Sequence, residues 1–166
     1  MEVAIQEILE DKQWHDEPGS PYQIWWEGLD RDRVMADFLR FTGELFGLRR
    51  RLPALRATGI NVFHVHNDNR VLAFHRWVEG QGSDVVIVAS LNESTFRGYE
   101  LGFPHHGSWR EVFNSDAYDN WPNPLCAGNE GKIRTHDRPL HNLPASASIV
   151  IPANGLLIFA RQGAEH

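Results

Sequence analysis

Three absences limit what this chain can be. One cysteine among 166 residues, Cys126, leaves no pair for an internal disulfide. No apolar run approaches the roughly 20 residues of a membrane span, and the densest one covers only residues 85–89. The first residues show no basic stretch followed by an apolar segment, the pattern of a secretory signal. We therefore expect a cytoplasmic protein without a membrane partner.

Positive charge is also scarce. Lys and Arg number 16 against 22 Asp and Glu, which gives a formal net charge of -6. Such a chain has no overall positive field to attract phosphates, so nucleic acid is not expected as a partner. With 42% apolar and 23% charged residues, the composition excludes disorder as the global state. The length fits one compact domain with a real core.

One stretch has helical periodicity. Asp30 offers an N-cap and Pro53 prevents continuation, so the pattern predicts one long helix over about residues 30–52. Six apolar residues share one stripe of this helix: Val34, Phe38, Phe41, Leu45, Leu48 and Leu52. A neighbouring stripe carries Met35, Leu39 and Phe46. Two stripes indicate two packing partners. Residues 1–28, with Pro and Gly clustered at 16–21, are predicted to form an irregular arm.

After Gly59 the period changes to two, which indicates strands. Seven strands are predicted, at 60–66, 70–78, 84–91, 98–102, 109–114, 147–151 and 155–161. A further strand is expected near 132–135 within the otherwise extended loop of 116–143. Residues 85–89 are predicted to form a central strand covered on both faces. Short strands without intervening helices favour antiparallel pairing. The expected fold is mainly β, a two-sheet Greek-key-type sandwich of seven or eight strands.

The sequence offers no recognisable catalytic set. It contains no Gly-x-Ser-x-Gly elbow to expose a serine nucleophile. Its acidic residues cluster in the loops 11–17 and 116–119, whereas the carboxylate pair of a glycosidase would come from the strand ends of a scaffold. We predict no catalytic residue, no cofactor and no bound metal in this chain.

Histidines provide the alternative to that prediction. His64 and His66 alternate on one strand, so their imidazoles share a face and could bind a metal. Preceded by Gly59, the pair resembles the cupin pattern, yet no glutamate follows before Glu79. We expect the two side chains to form hydrogen bonds within the hairpin instead. The dipeptide at 105–106 is predicted to lie in a turn.

Tryptophans are the candidate ligand-binding residues, because a flat indole stacks on sugar rings as well as it fills a core. Of six tryptophans, Trp25, Trp26 and Trp121 fall in predicted loops and are candidates for contact with a sugar. A free-standing carbohydrate-binding or interaction module therefore remains open as an alternative function.

An ordered series of motifs runs through the β region. It reads Val-Ile-Val-Ala-Ser-Leu-Asn at 86–92, Gly-Tyr-Glu-Leu-Gly at 98–102, Gly-Ser-Trp-Arg-Glu-Val-Phe-Asn-Ser-Asp at 107–116, Gly-Asn-Glu-Gly at 128–131 and Ser-Ile-Val-Ile-Pro-Ala-Asn-Gly at 148–155. This series resembles the C-terminal β-domain of 1,4-α-glucan branching enzymes, members of the α-amylase superfamily. Upstream, 6–14 is similar to the segment at the eighth strand of that family's catalytic barrel, and 47–55 to the end of its last barrel helix.

The resemblance implies a division of the chain and a role. Residues 1–57 would be the end of the catalytic barrel, and 58–166 the all-β domain. The parent enzyme would cleave an α-1,4-glucan and transfer the fragment to a 6-hydroxyl, forming the α-1,6 branches of glycogen. Its catalytic residues would precede this chain, which would be accessory. The implied partners are the upstream barrel and α-glucan. Without the barrel, we expect weak self-association through the helix at 31–52.

Overall fold

The computed structural model describes Leu9 and residues 23–161, and most of this region forms strands. The strands are β1 (Gly59–His66), β2 (Val71–Trp77), β3 (Asp84–Ser90), β4 (Phe96–Phe103), β5 (Ser108–Asn114), β6 (Lys132–Arg134), β7 (Ala145–Ile151) and β8 (Leu156–Arg161). Six of them form one sheet in the order β1-β2-β3-β8-β5-β6, and β4 pairs with β7 in a second. All of these pairings are antiparallel. The predicted mainly β, two-sheet fold is confirmed.

The chain crosses between the two sheets four times. After the β1–β3 meander it crosses to β4, returns for β5 and β6, crosses to β7 and returns as β8. β8 thereby lies between β3 and β5 in the large sheet. The turn at 152–155 joins β7 to β8, as the sequence motif predicts, although these strands lie in different sheets.

Alternating side chains of the large sheet fill two separate cores. Between the sheets, Val86 and Val88 pack with the fully buried rings of Phe103, Trp109 and Phe159. Val85 and Ile87 point the other way, into a second apolar cluster that contains helical residues. Both faces of the central strand β3 are therefore covered, as its unbroken apolar run predicts.

The second core forms where a helix packs on the outer face of the large sheet. Two helices precede the strands, α1 (Gly28–Arg31) and α2 (Arg33–Arg51), and the 3-10 helix Pro53–Arg56 follows. Leu48 of α2 is buried in this core, and Phe41 and Leu45 pack against it. No helix among the described residues is long and apolar enough to cross a membrane.

The predicted N-cap is wrong by two residues. Asp32 caps α2, because its carboxylate oxygen accepts hydrogen bonds from the amides of Val34 at 2.8 Å and Met35 at 3.4 Å. Asp30 instead belongs to the short helix α1. The backbone of Asp32 is extended, with φ −113° and ψ 109°, and this separates the two helices.

The two predicted stripes of the helix are partly wrong. Met35, placed by the sequence on the second stripe, is only 6% exposed, whereas Val34, placed on the six-residue stripe, is 64% exposed. A side chain on Gly28 would lie within 3 Å of both the Trp25 ring and the Met35 sulfur, so the segment before α1 covers Met35. Phe46, on the second stripe, is 57% exposed and so is available to a partner outside the described residues. Leu39 is also exposed. The arm at 1–22, apart from Leu9, lies outside the described residues, as does Trp14.

Candidate functional site

Trp121 lies in the loop after β5 and is held against α2. Its amide donates to Oδ2 of Asp37 at 3.1 Å, and its carbonyl accepts from Arg33 at 2.7 Å. Its ring stacks on Tyr118 with the centroids 5.2 Å apart, and the Arg40 guanidinium lies 5.0 Å from the ring centre. The side chain remains 37% exposed. This arrangement fixes the indole and still leaves part of it accessible.

A cleft of about 450 Å³ opens beside this loop, between α2 and the segment after β5. Its polar lining consists of carboxylates, amides and a hydroxyl, from Asp37, Ser115, Asp116, Asp119, Asn120 and Asn154. Its apolar lining includes the rings of Phe38, Phe41 and Tyr118. Acceptors and donors of this kind pair with sugar hydroxyls, while aromatic rings contact the apolar face of a sugar. The cleft is chemically suited to a carbohydrate.

The other two candidate tryptophans lie just before α1. Trp25 is 41% exposed and Trp26 is 63% exposed, and both are in irregular backbone, as predicted. Trp25 lies near Met35, whereas Trp121 contacts Asp37, two residues further along α2. Two residues are roughly 200° apart around a helix axis. The structure therefore brings Trp25 and Trp121 to different sides of the same helix and does not unite the three candidates in one site.

His64 and His66 do not direct their nitrogens at a common point. Nε2 of His64 lies 2.7 Å from the Tyr99 hydroxyl, and Nδ1 of His66 accepts from the Asn69 amide at 3.1 Å. The His64 ring stacks on His141, with the centroids 4.1 Å apart. Burial, followed by the neighbouring His141 and His66, lowers the pKa of His64 to about 4. The imidazole is therefore neutral at physiological pH.

The meeting of His64 with His141 was missed from the sequence, because 77 positions separate the two residues. Nδ1 of His141 accepts a hydrogen bond from the Gly102 amide at 3.2 Å, and burial lowers its pKa. Within the described part of the chain, no three His, Cys, Asp or Glu side chains are arranged to hold a metal ion. This geometry gives the cupin alternative no support.

A second histidine cluster was also missed. Asp84, 6% exposed, lies 2.7 Å from Nε2 of His75 and 3.3 Å from Nε2 of His105, and Arg161 approaches to 4.0 Å. Burial lowers the pKa of His75 more than the bond to Asp84 raises it. His105 lies in the predicted turn between β4 and β5. The available signal in the sequence was an aspartate at the start of an otherwise apolar strand. The cluster connects β2 and β3 of the large sheet to the turn that follows β4 of the second sheet.

The Gly-Asn-Glu-Gly motif has a structural role here. The Asn129 side chain accepts from the Val150 amide at 2.8 Å and donates to the Val150 carbonyl at 3.0 Å. The backbone amide of Asn129 donates to Oε2 of Glu111 at 3.0 Å. Asn129 thereby joins the loop before β6 to β5 and β7. The motif fixes the end of the loop that carries Trp121.

Comparison with known proteins identifies a matching family and several similar enzymes. The family model described as alpha amylase, C-terminal all-beta domain, matches residues 63–162. A 1,4-alpha-glucan branching enzyme GlgB from Mycobacterium sp. (strain KMS) is 32% identical over 96% of this chain and 21% of its own length. GlgB of Frankia casuarinae is 28% identical over 91% and 19%, and GlgB 1 of Xanthomonas campestris pv. campestris (strain 8004) is 29% identical over 95% and 22%.

The chain thus spans about a fifth of the length of the curated relatives it matches. The resemblance to branching enzymes that the motifs predict is confirmed. The matched family is an all-β one, which agrees with the two sheets of the structure. Since the family model covers well over half of the residues, this chain belongs to the alpha amylase C-terminal all-beta domain family.

Proposed function

We propose that this chain is the non-catalytic C-terminal part of a cytoplasmic 1,4-α-glucan branching enzyme. The observation that carries the proposal is the similarity to such enzymes along 96% of the chain, which matches only 21% of the relative's length. The parent would break an α-1,4 bond, hold the fragment as a covalent glycosyl intermediate and transfer it to a 6-hydroxyl. The residues for these steps would lie in the segment that precedes the chain.

The proposed role of this part is to brace the catalytic barrel. Leu39 and Phe46 of α2 are exposed and do not belong to the second core. The sheet face beside α2 is also open, and four apolar side chains on it are exposed: Ile60, Val62, Val65 and Leu72. We call these four side chains together with Phe46 the open half-face. A contiguous exposed apolar surface is typical of an interaction site, because burying each large side chain is worth roughly 1.5–3 kcal/mol. The division into a barrel end at 1–57 and an all-β domain at 58–166 belongs to this proposal.

A chimera tests the role. The branching enzyme of Mycobacterium sp. (strain KMS) would be truncated before the matched region, alone or joined to this chain. Branching would be measured as α-1,6 content and loss of iodine absorbance of amylose. We expect activity in the chimera well above that of the truncated enzyme, and loss of the gain when Trp109→Asp disrupts the buried core. Equal activity of the chimera and the truncated enzyme would overturn the proposal.

Self-association follows from the same exposed residues. Without a barrel, two copies can reduce exposed apolar area by pairing weakly through the helix at 31–52. Sedimentation velocity over a concentration series should show a small dimer fraction. Leu39→Ser with Phe46→Ser should lower that fraction, whereas Arg50→Ser on the same helix should leave it unchanged. An unchanged dimer fraction in the double variant would place self-association elsewhere.

Contact with α-glucan is the second proposed function. The exposure of Trp26 and the mixed aromatic and polar lining of the cleft beside Trp121 support it. Migration in native gels containing glycogen should be retarded for this chain. Trp26→Ala or Trp121→Ala should reduce the retardation, whereas Phe46→Ala, which removes an exposed ring elsewhere, should not. Equal retardation of all variants would exclude these tryptophans. Retarded migration with an inactive chimera would favour the free-standing carbohydrate-binding module.

A further inference from the structure

A groove between α2 and the large sheet contains two arginines that have no acidic partner among the described residues. It has a volume of about 270 Å³. One wall comes from α2 and consists of Thr42, Leu45, Phe46 and Arg49. The opposite side consists of Leu55 and the sheet residues Phe74, Arg76, Ile87 and Ile158. Apart from the two guanidinium groups and one hydroxyl, the lining side chains are apolar.

The two guanidinium groups meet at one backbone carbonyl. Nη1 of Arg49 donates to the Leu55 oxygen at 2.7 Å, and Nη1 of Arg76 donates to the same oxygen at 3.1 Å. Arg76 also donates to the Ala57 carbonyl, while its Nε is buried without a hydrogen-bond partner. Carboxylates pair with five other arginines among the described residues, at positions 31, 33, 51, 138 and 161. Within that part of the chain, neither Arg49 nor Arg76 has such a partner.

Two like charges beside an apolar surface repel each other. The Arg49 side chain is exposed, whereas Arg76 is half-buried and its Nε has no hydrogen-bond partner among the described residues, so the cost of lost hydration falls on Arg76. A carboxylate is the complement that guanidinium groups bind best, since planar forks can hold its two oxygens. The remaining lining requires an aliphatic or aromatic neighbour of that carboxylate. The groove also shares Phe46 with the open half-face, and Val62 of that face pairs directly with Phe74. The groove is therefore continuous with the open half-face.

We infer that the groove receives a segment of the catalytic part of the same enzyme, in which an Asp or Glu carboxylate binds Arg49 and Arg76 and an adjacent apolar side chain fills the space between Phe46 and Phe74. This inference rests on the proposed function and adds the chemistry of the contact. The carboxylate lies between the two guanidinium groups and reduces their repulsion, and docking completes the second core.

The chemistry of the groove can be tested on the present chain with small probes. Hexanoate and hexylamine have the same apolar tail and opposite charges. In heteronuclear NMR titrations, hexanoate should shift the Arg49 and Arg76 Nε–H signals together with the Phe46 and Phe74 ring signals, at least fivefold more than hexylamine does. Arg49→Gln should abolish the hexanoate shifts, and Arg50→Gln, at the adjacent arginine outside the groove lining, should preserve them. Equal responses to both probes, or none, would overturn the inference.

The natural occupant can be identified in the chimera described above. Carbodiimide labelling with mass spectrometry should find at least one Asp or Glu outside this chain that is protected in the chimera and becomes at least fivefold more reactive with Arg49→Gln. Arg50→Gln should leave it protected. If no outside carboxylate responds, or the responding carboxylate belongs to a second copy of this chain, the inference is wrong. An inactive chimera would refute the proposed function. The probe titration would still show whether the groove binds a carboxylate with an apolar tail.

Discussion

At the residue scale, burial and the neighbouring histidines set the protonation state of His64. Its pKa falls from the ordinary 6.5 to about 4 on folding, mainly through burial. A lowered pKa means that the unfolded chain binds more protons than the folded one between these values. The contribution to stability is therefore complete above about pH 6.5 and is lost as pH falls toward 4.

We expect the urea midpoint to fall between pH 7 and pH 4.5, and His64→Gln to reduce this fall. His75 and His141, whose pKa values are also lowered, should account for part of the remaining slope. His106→Gln is the matched control, because that ring is exposed on the surface. A pH dependence that is the same in the His64 variant and the unaltered chain would contradict this account.

Asn129 gives a second prediction at the same scale. Asn129→Ala removes both bonds to Val150 and the bond that Nδ2 of Asn129 donates to Oε2 of Glu111. The backbone amide of residue 129 can still donate to Glu111. At about 1 kcal/mol for each lost bond, with a further contribution from groups left without partners, the free energy of unfolding should fall by about 2–4 kcal/mol. Urea denaturation at pH 7 measures it. Asn61→Ala on the exposed edge strand should change stability by less than about 0.5 kcal/mol, and a similar loss in both variants would refute the assigned role.

At the element scale, α2 has one buried side and one open side. Leu48→Ala should lower the free energy of unfolding by about 2–5 kcal/mol, because it creates a cavity in the second core. Phe46→Ala, two residues earlier, should change it by less than about 0.5 kcal/mol, since the ring is exposed in this chain. Thermal or urea unfolding compares them. Equal losses would mean that both sides of α2 are buried within this chain.

At the scale of the whole molecule, the catalytic apparatus is proposed to lie in the preceding segment. Branching requires a nucleophile and an acid/base residue held together on one scaffold. The isolated chain incubated with amylose should therefore leave the iodine absorbance and the α-1,6 content unchanged. The active chimera provides the positive control. A rise in branch points that depends on this chain alone would show that the division of the enzyme is wrong.

Most helices and strands could be predicted from the sequence alone. All seven predicted strands occur, with bounds shifted by at most two residues, and β6 occurs where a further strand was expected. Alternation and helical periodicity arise from residues that are contiguous in the chain. These patterns therefore do not depend on which strands become neighbours in the sheet. The helix start was less predictable, because Asp30 and Asp32 are both good caps and only the backbone of Asp32 is extended.

The sequence by itself determined the class of fold, the central position of β3 and the family. Only the tertiary structure decided which residues meet: His64 with His141, Asp84 with His75 and His105, Trp25 near Met35, and Arg49 with Arg76 at one carbonyl. The physical reason is that such contacts depend on strand order and on bulges such as the one between Val62 and His64 in β1. Neither leaves a periodic signal in the chain, and so the candidate sites could be assembled only in three dimensions.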